Sequence, residues 1–151
     1  MKISTKTRYA IMAMVDIAYY SNGNPVNLAD ISRRENIAVN YLEQIFVYLR
    51  KNNLVESTKG PGGGYRLTKN PDQISIADVM NSLDINLKMT RCGTTKDKKC
   101  LTDSIKCMTH SLWKGLELNI KDYFSTITLQ DVITKNVIPS KPRAENTIRL
   151  L

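Results

Sequence analysis

The chain has 151 residues, of which 42% are hydrophobic and 24% charged, a composition that fits one ordinary globular unit and excludes collagen-like, fully disordered and membrane-embedded classes. Lys and Arg total 22 against 14 Asp and Glu, a formal charge of +8. Such an excess favours an anionic partner, nucleic acid or an acidic membrane surface. The longest apolar run near the start, Ala10 to Val15, is closed by Asp16 and is far too short to span a bilayer. Ile3 to Tyr20 reads as an amphipathic helix and not as a signal peptide, so the expected location is the cytoplasm.

In that first helix Ile11, Met14, Val15 and Ala18 recur at helical spacing, and Ser21-Asn22-Gly23-Asn24-Pro25 ends it. Asn27 is placed to cap a short second helix that carries Asp30 near its positive end and finishes near Glu35. A third helix begins near Asn40, its buried face marked by Leu42, Ile45, Phe46 and Leu49. Its other face carries Asn40, Tyr41, Glu43, Gln44, Tyr48 and Lys51. Two short helices joined by a tight turn, the second polar outside, form a helix-turn-helix pattern. Leu54 to Thr58 and Tyr65 to Thr68 then read as two strands around the flexible tip Lys59-Gly60-Pro61-Gly62-Gly63-Gly64, a wing beside the helix-turn-helix. The strand-to-helix context and terminal Gly-Lys-Ser/Thr of a phosphate-binding loop are missing from that glycine run.

Ser75 caps a fourth helix containing Ile76, Val79, Met80 and Leu83. The polar, lysine-rich stretch from Asn86 reads as an irregular loop around the cysteines. Helical periodicity returns from about Thr109 to Phe124, with a broad apolar stripe of Leu112, Trp113, Leu116, Ile120, Tyr123 and Phe124 that a small domain cannot bury alone. This helix is expected to pair with its counterpart in a two-fold homodimer, which suits a reader of pseudo-palindromic DNA. Thr128 and Asp131 open a last short helix. The fold class expected is therefore mainly α with a small β wing. Its parts are a winged helix-turn-helix domain over residues 1–85, a ligand-binding loop over 86–110, a dimerisation helix and short following helix over 111–138, and a flexible tail over 139–151.

Residues 1–70 hold ten Lys or Arg against five Asp or Glu, so +5 of the total +8 falls on the proposed reading module. Lys6, Arg8, Arg50, Lys51, Lys59 and Arg66 are candidates for neutralising phosphates, together with the wing residues Gly60, Pro61, Gly62 and Gly63. Such contacts supply affinity without sequence choice. Sequence choice is assigned to the start of the third helix: Asn40, Tyr41 against backbone or base, Gln44 pairing with adenine, and Glu43 accepting from a cytosine amino group. A carboxylate facing phosphates is repelled unless that cytosine compensates it, so Glu43 can veto wrong sequences. A merely solvated helix face would show the same polarity; helix, wing and charge together point to DNA.

All three cysteines lie within Cys92 to Cys107, and Cys92, Cys100, Cys107 and His110 are separated by seven, six and two residues. Three thiolates and an imidazole make one complete ligand set, suited either to tetrahedral zinc or to an iron-sulfur cluster. Structural zinc sites more often use tighter Cys-x(2-4)-Cys knuckles, whereas these long gaps can wrap a larger object. Lys96, Lys98, Lys99 and Lys106 can offset the charge of a thiolate-bound cluster or simply solubilise the loop. The absence of a Cys-x-x-Cys pair argues against a thiol-redox enzyme, and no catalytic residue is assigned.

Thr7-Arg8-Tyr9-Ala10, Leu28-Ala29-Asp30-Ile31-Ser32, Tyr41-Leu42-Glu43-Gln44, Leu49-Arg50-Lys51-Asn52, Gly60-Pro61-Gly62-Gly63-Gly64-Tyr65, and Thr109-His110 before Leu112-Trp113 resemble the iron-sulfur cluster regulators of the Rrf-two family of winged-helix transcription factors, over roughly Met1 to Ile133. The resemblance implies a homodimeric regulator, acting as repressor or activator, with a 2Fe-2S cluster on Cys92, Cys100, Cys107 and His110. It further implies that the cluster, received from the cluster-assembly machinery, reports iron-sulfur supply and sets which promoters are bound, including those of cluster-assembly genes. A related regulator sensing nitric oxide or iron, and a zinc-stabilised DNA-binding protein, are the alternative readings. Two features depart from the family pattern: longer gaps between the cysteines, and Lys59 where Arg is expected, a residue less suited to minor-groove insertion.

Overall fold

The computed structural model describes residues 3–83 and 107–137. Cys92, Cys100, most of the expected ligand loop and the expected tail lie outside them. Helix α1 (Thr5–Tyr20) starts where the Ser4 hydroxyl accepts the Thr7 N–H at 3.1 Å, which satisfies one of the unpaired donors of the first turn. Helix α2 (Leu28–Glu35) is capped as expected by Asn27, whose side-chain oxygen accepts the Ala29 N–H at 2.8 Å, and it closes on Asn36 in the left-handed conformation at φ 53°. Helix α3 (Val39–Lys51) begins one residue before the sequence pattern suggested, behind Ala38, which has no side chain able to cap.

Strands β1 (Val55–Thr58) and β2 (Gly64–Leu67) pair antiparallel in the register Val55 with Leu67, Glu56 with Arg66, Ser57 with Tyr65 and Thr58 with Gly64. After a 3₁₀ turn (Pro71–Gln73), helix α4 (Ile76–Ser82) is held by a full capping box: the Ser75 hydroxyl accepts the Asp78 N–H, and the Asp78 carboxylate accepts the Ser75 N–H. Helix α5 (His110–Thr126) leads to α6 (Leu129–Ile133), which opens on a second capping box between Thr128 and Asp131. Hydrogen bonds to the Thr128 side chain and backbone hold the Asp131 carboxyl below its ordinary value. The mainly helical architecture with a two-stranded wing is the one expected.

One core unites these pieces. Ala10, Met14 and Ile17 of α1, Ile31 of α2, Leu42, Ile45, Phe46 and Leu49 of α3, and Val79 and Met80 of α4 are buried together. Leu129 of α6 joins them at full burial. Helix α6 reaches that core because the chain before it is stitched to the start of α4: the Ile76 N–H donates to Ile127 O at 2.8 Å, and the Leu129 N–H donates to Ile74 O at 3.0 Å. Helix α5 behaves differently. None of its residues is buried; Leu112, Leu116 and Leu118 stand 64%, 42% and 57% exposed, while Phe124 near its end packs on the core. The far end of α5 is therefore anchored on the winged domain, and its beginning presents an apolar face with no cover among the described residues.

A part-buried ion pair locks α1 to α2. The Asp16 carboxylate, its side chain fully buried, accepts from Arg34 Nε at 2.7 Å and from Arg34 Nη2 at 2.6 Å. The guanidinium also lies 4.4 Å from the centre of the Tyr20 ring. The charge-assisted hydrogen bond to Asp16 raises the Arg34 pKa above its ordinary value, against the opposing cost of burial.

Candidate nucleic-acid interface

The core face of α3 fixes which side chains can meet a partner. With Leu42, Ile45, Phe46 and Leu49 turned inward, Asn40, Glu43, Gln44, Arg50 and Lys51 are exposed on the outer side. Among the described residues no hydrogen bond or ion pair ties down Glu43 or Gln44, so both are free to engage an external group. The first turn of α3 also contains no acidic residue and no side-chain cap, which leaves the positive end of the helix available to an anion such as a phosphate.

Two residues grouped with this polar face in the sequence serve packing as well. Tyr41 is half-buried and meets Tyr9 edge to face, with ring centres 5.7 Å apart. Tyr48 is half-buried beneath Lys6, whose Nζ lies 3.6 Å from the ring centre. Lys6, selected from sequence as a phosphate contact, is thus a cation over an aromatic face that joins the start of α1 to α3. Arg8, one turn from the start of the same helix, is exposed.

The wing is fastened to the rest of the domain by its backbone. Val26 and Tyr65 exchange two N–H···O bonds, both 2.8 Å, and the Tyr65 ring lies 4.6 Å from that of Phe46. Gly64 must lack a side chain because a Cβ there would fall on the Val26 carbonyl. At the tip Gly60 and Gly62 adopt φ of 99° and 76°, values open to glycine and strained for other residues. This geometry projects Lys59 into solvent as an exposed cation. Arg66 is different: its Nε donates to Glu56 Oε1 at 2.6 Å across the strand pair, so its charge is partly offset on the wing itself. The sequence reading missed Glu56; its register opposite Arg66 was the signal that would have found it.

A family model, Rrf2, iron-dependent transcriptional regulator, matches residues 3–135. The chain belongs to the Rrf2 family. Among relatives of this Rrf2 protein, the HTH-type transcriptional regulator IscR of Pectobacterium atrosepticum is 41% identical over 150 residues, covering 99% of this chain and 90% of that one. IscR of Vibrio parahaemolyticus is 44% identical over 138 residues, covering 91% and 80%. In solved structures the fold is similar to that of T. potens IscR, with a TM-score of 0.72 and 30% identity over 93% of this chain and 94% of the other. It is equally similar to CymR, the global cysteine regulator of B. subtilis, with a TM-score of 0.73 and 29% identity over 89% and 98%. This Rrf2 protein is a DNA-binding transcription regulator and not an enzyme.

Of the four candidate ligands, Cys107 and His110 are described. They sit at the start of α5, where the His110 N–H donates to Cys107 O at 3.0 Å and Cys107 Sγ is 3.5 Å from Thr109 Oγ1. Cys107 is half-buried and not part of a disulfide among the described residues. Among the described residues no group of three or more His, Cys, Asp or Glu forms a metal site; Cys92 and Cys100 lie outside them. A thiol sulfur and an imidazole nitrogen, carried by residues three apart where the chain enters α5, are donor types chemically suited to iron.

Proposed function

We propose that this regulator binds pseudo-palindromic promoter DNA as a homodimer and adjusts its promoter choice to iron-sulfur supply, controlling cluster-assembly genes from the cytoplasm. Cys92, Cys100, Cys107 and His110 would hold a 2Fe-2S cluster delivered by the assembly machinery. When bound, the cluster supplies a ligand whose presence depends on iron, sulfide and oxidants.

The observation that carries the proposal is the placement of Cys107 and His110 together at the beginning of α5, the helix whose exposed Leu112, Trp113 and Leu116 suit pairing with a second copy. Ligation and dimer geometry then act on one element, so occupancy biases how two reading heads are spaced. On each head, Asn40, Tyr41, Glu43 and Gln44 face the bases. Arg8, Arg50, Lys51, Lys59 and Arg66, with the Gly60–Gly63 tip, face the backbone or minor groove, and Lys6 adds its charge from above Tyr48. Glu43 acts as a veto that only sites offering a donor can satisfy.

The test is an absorption spectrum of anaerobically purified protein with iron and acid-labile sulfide quantified, beside a C92A/C100A/C107A variant. Visible bands with matched iron and sulfide, lost in the variant, together with different promoter affinity with and without cluster, are the expected result. A colourless protein that stays so after reconstitution, above all one containing zinc, overturns the sensing part.

A further inference from the structure

We propose that Val47 is a further specificity-determining residue of α3, making apolar contact with the C5-methyl group of one thymine in each half-site. The proposal rests on the reading of α3 as the groove helix. Val47 lies on α3, one turn beyond Glu43 and Gln44 and one turn before Arg50 and Lys51, and it is 56% exposed although it belongs to the most core-seeking class of side chain. Around the helix axis it falls among these polar residues and away from the buried Leu42, Ile45, Phe46 and Leu49. No core contact or cap accounts for it, and a β-branched residue on a solvated helix surface is a weak helix former.

The spacing supplies the role. Asn40, Glu43, Gln44 and Val47 fall at i, i+3, i+4 and i+7, the pattern by which one helix face reads successive base edges in a major groove. Three of these positions carry hydrogen-bonding groups and the fourth carries two methyls. In the major groove the one apolar feature of a base edge is the thymine methyl. The Cα–Cβ bond of a helical residue tilts toward the N-terminus, so the Val47 methyls lean toward the Glu43 and Gln44 level and not out toward the phosphates. A wrong base there leaves Val47 against the polar edge of cytosine or of a purine, so the residue discriminates by desolvation as well as by contact.

The experiment uses the full chain and the duplex it prefers from a randomised pool. Each thymine of one half-site is replaced in turn by deoxyuridine, which removes only the methyl group, and affinity is measured by fluorescence anisotropy for wild type, Val47→Ala, Glu43→Ala and Gln44→Ala. One replacement is expected to weaken wild type about fourfold, the value of one buried methyl-sized group, while Val47→Ala binds both duplexes alike. Wild type indifferent to every replacement, a preferred site without thymine, or the same sensitivity in Val47→Ala overturns the proposal. If in that case Glu43→Ala and Gln44→Ala still change base preference, α3 remains the reading helix and only the Val47 assignment fails; if they too change nothing, the groove reading of α3 fails with it. Unchanged thermal unfolding of Val47→Ala, expected for an exposed position, separates a readout effect from a folding one.

Discussion

Replacing Arg34 by Ala removes the partner of a carboxylate whose side chain is fully buried and which accepts two hydrogen bonds, at 2.7 and 2.6 Å, from that one guanidinium. Leaving a buried charge uncompensated costs roughly 3–5 kcal/mol. The lower end applies here, because the Arg34 side chain is itself 25% exposed and its removal admits water to Asp16. The reverse change is milder. Asp16→Ala leaves a guanidinium that can turn to solvent and loses two charge-assisted bonds, about 2 kcal/mol. In the double variant Arg34 contributes only its stacking on Tyr20 beyond that, about 0.5–1 kcal/mol. The single effects should therefore exceed the double effect by about 2 kcal/mol. Urea unfolding at neutral pH, with a constant m value as the check on two-state behaviour, measures all three. An Arg34→Ala loss below about 1 kcal/mol, or strict additivity of the two changes, would refute the argument that this pair clamps α1 to α2 by mutual compensation.

Other consequences follow from single sites. Burial pushes the Glu35 carboxyl above its ordinary value, with the Asp16 charge adding to the rise and Arg34 opposing it. The folded chain thus holds this proton more tightly than the unfolded one, so its contribution to stability is lost as pH rises through the raised folded value. Glu35→Gln should be more stable than wild type at pH 7, by a fraction of a kcal/mol, with the advantage vanishing in melts run below the ordinary carboxylate range. Gly64→Ala should cost about 2–3 kcal/mol, since its Cβ meets the Val26 carbonyl and breaks the paired bonds between Val26 and Tyr65; exchange of the Tyr65 amide would report the wing detaching. Lys59→Ala should lower the slope of log affinity against log salt by about 0.9, one phosphate's worth of counterions. Its preference among DNA sequences should stay unchanged, which competition binding checks.

Local chemistry could be read directly along the chain. The Asn27 cap, Ser75 as the cap of α4, Thr128 and Asp131 at the opening of α6, the buried face of α3 and the glycine tip of the wing were all legible, because each depends on residues close together along the chain. The grouping of Cys107 with His110 was legible for the same reason, and both lie at the start of α5. The remaining contacts join residues far apart in the chain and exist only in the packed fold. Asp16 meets Arg34 across 18 residues, Lys6 covers Tyr48, Tyr9 meets the edge of Tyr41, and Val26 bonds Tyr65. In sequence Tyr41 and Tyr48 belong to the polar side of a helix and Lys6 is a free cation; packing α1 against α3 turns these residues into structural partners. Periodicity states which face of a helix is apolar, but the partner that occupies the boundary of that face is chosen by elements distant in the chain. That is why Val47, apolar and exposed amid the reading face, became a functional question only once the core was seen to close without it.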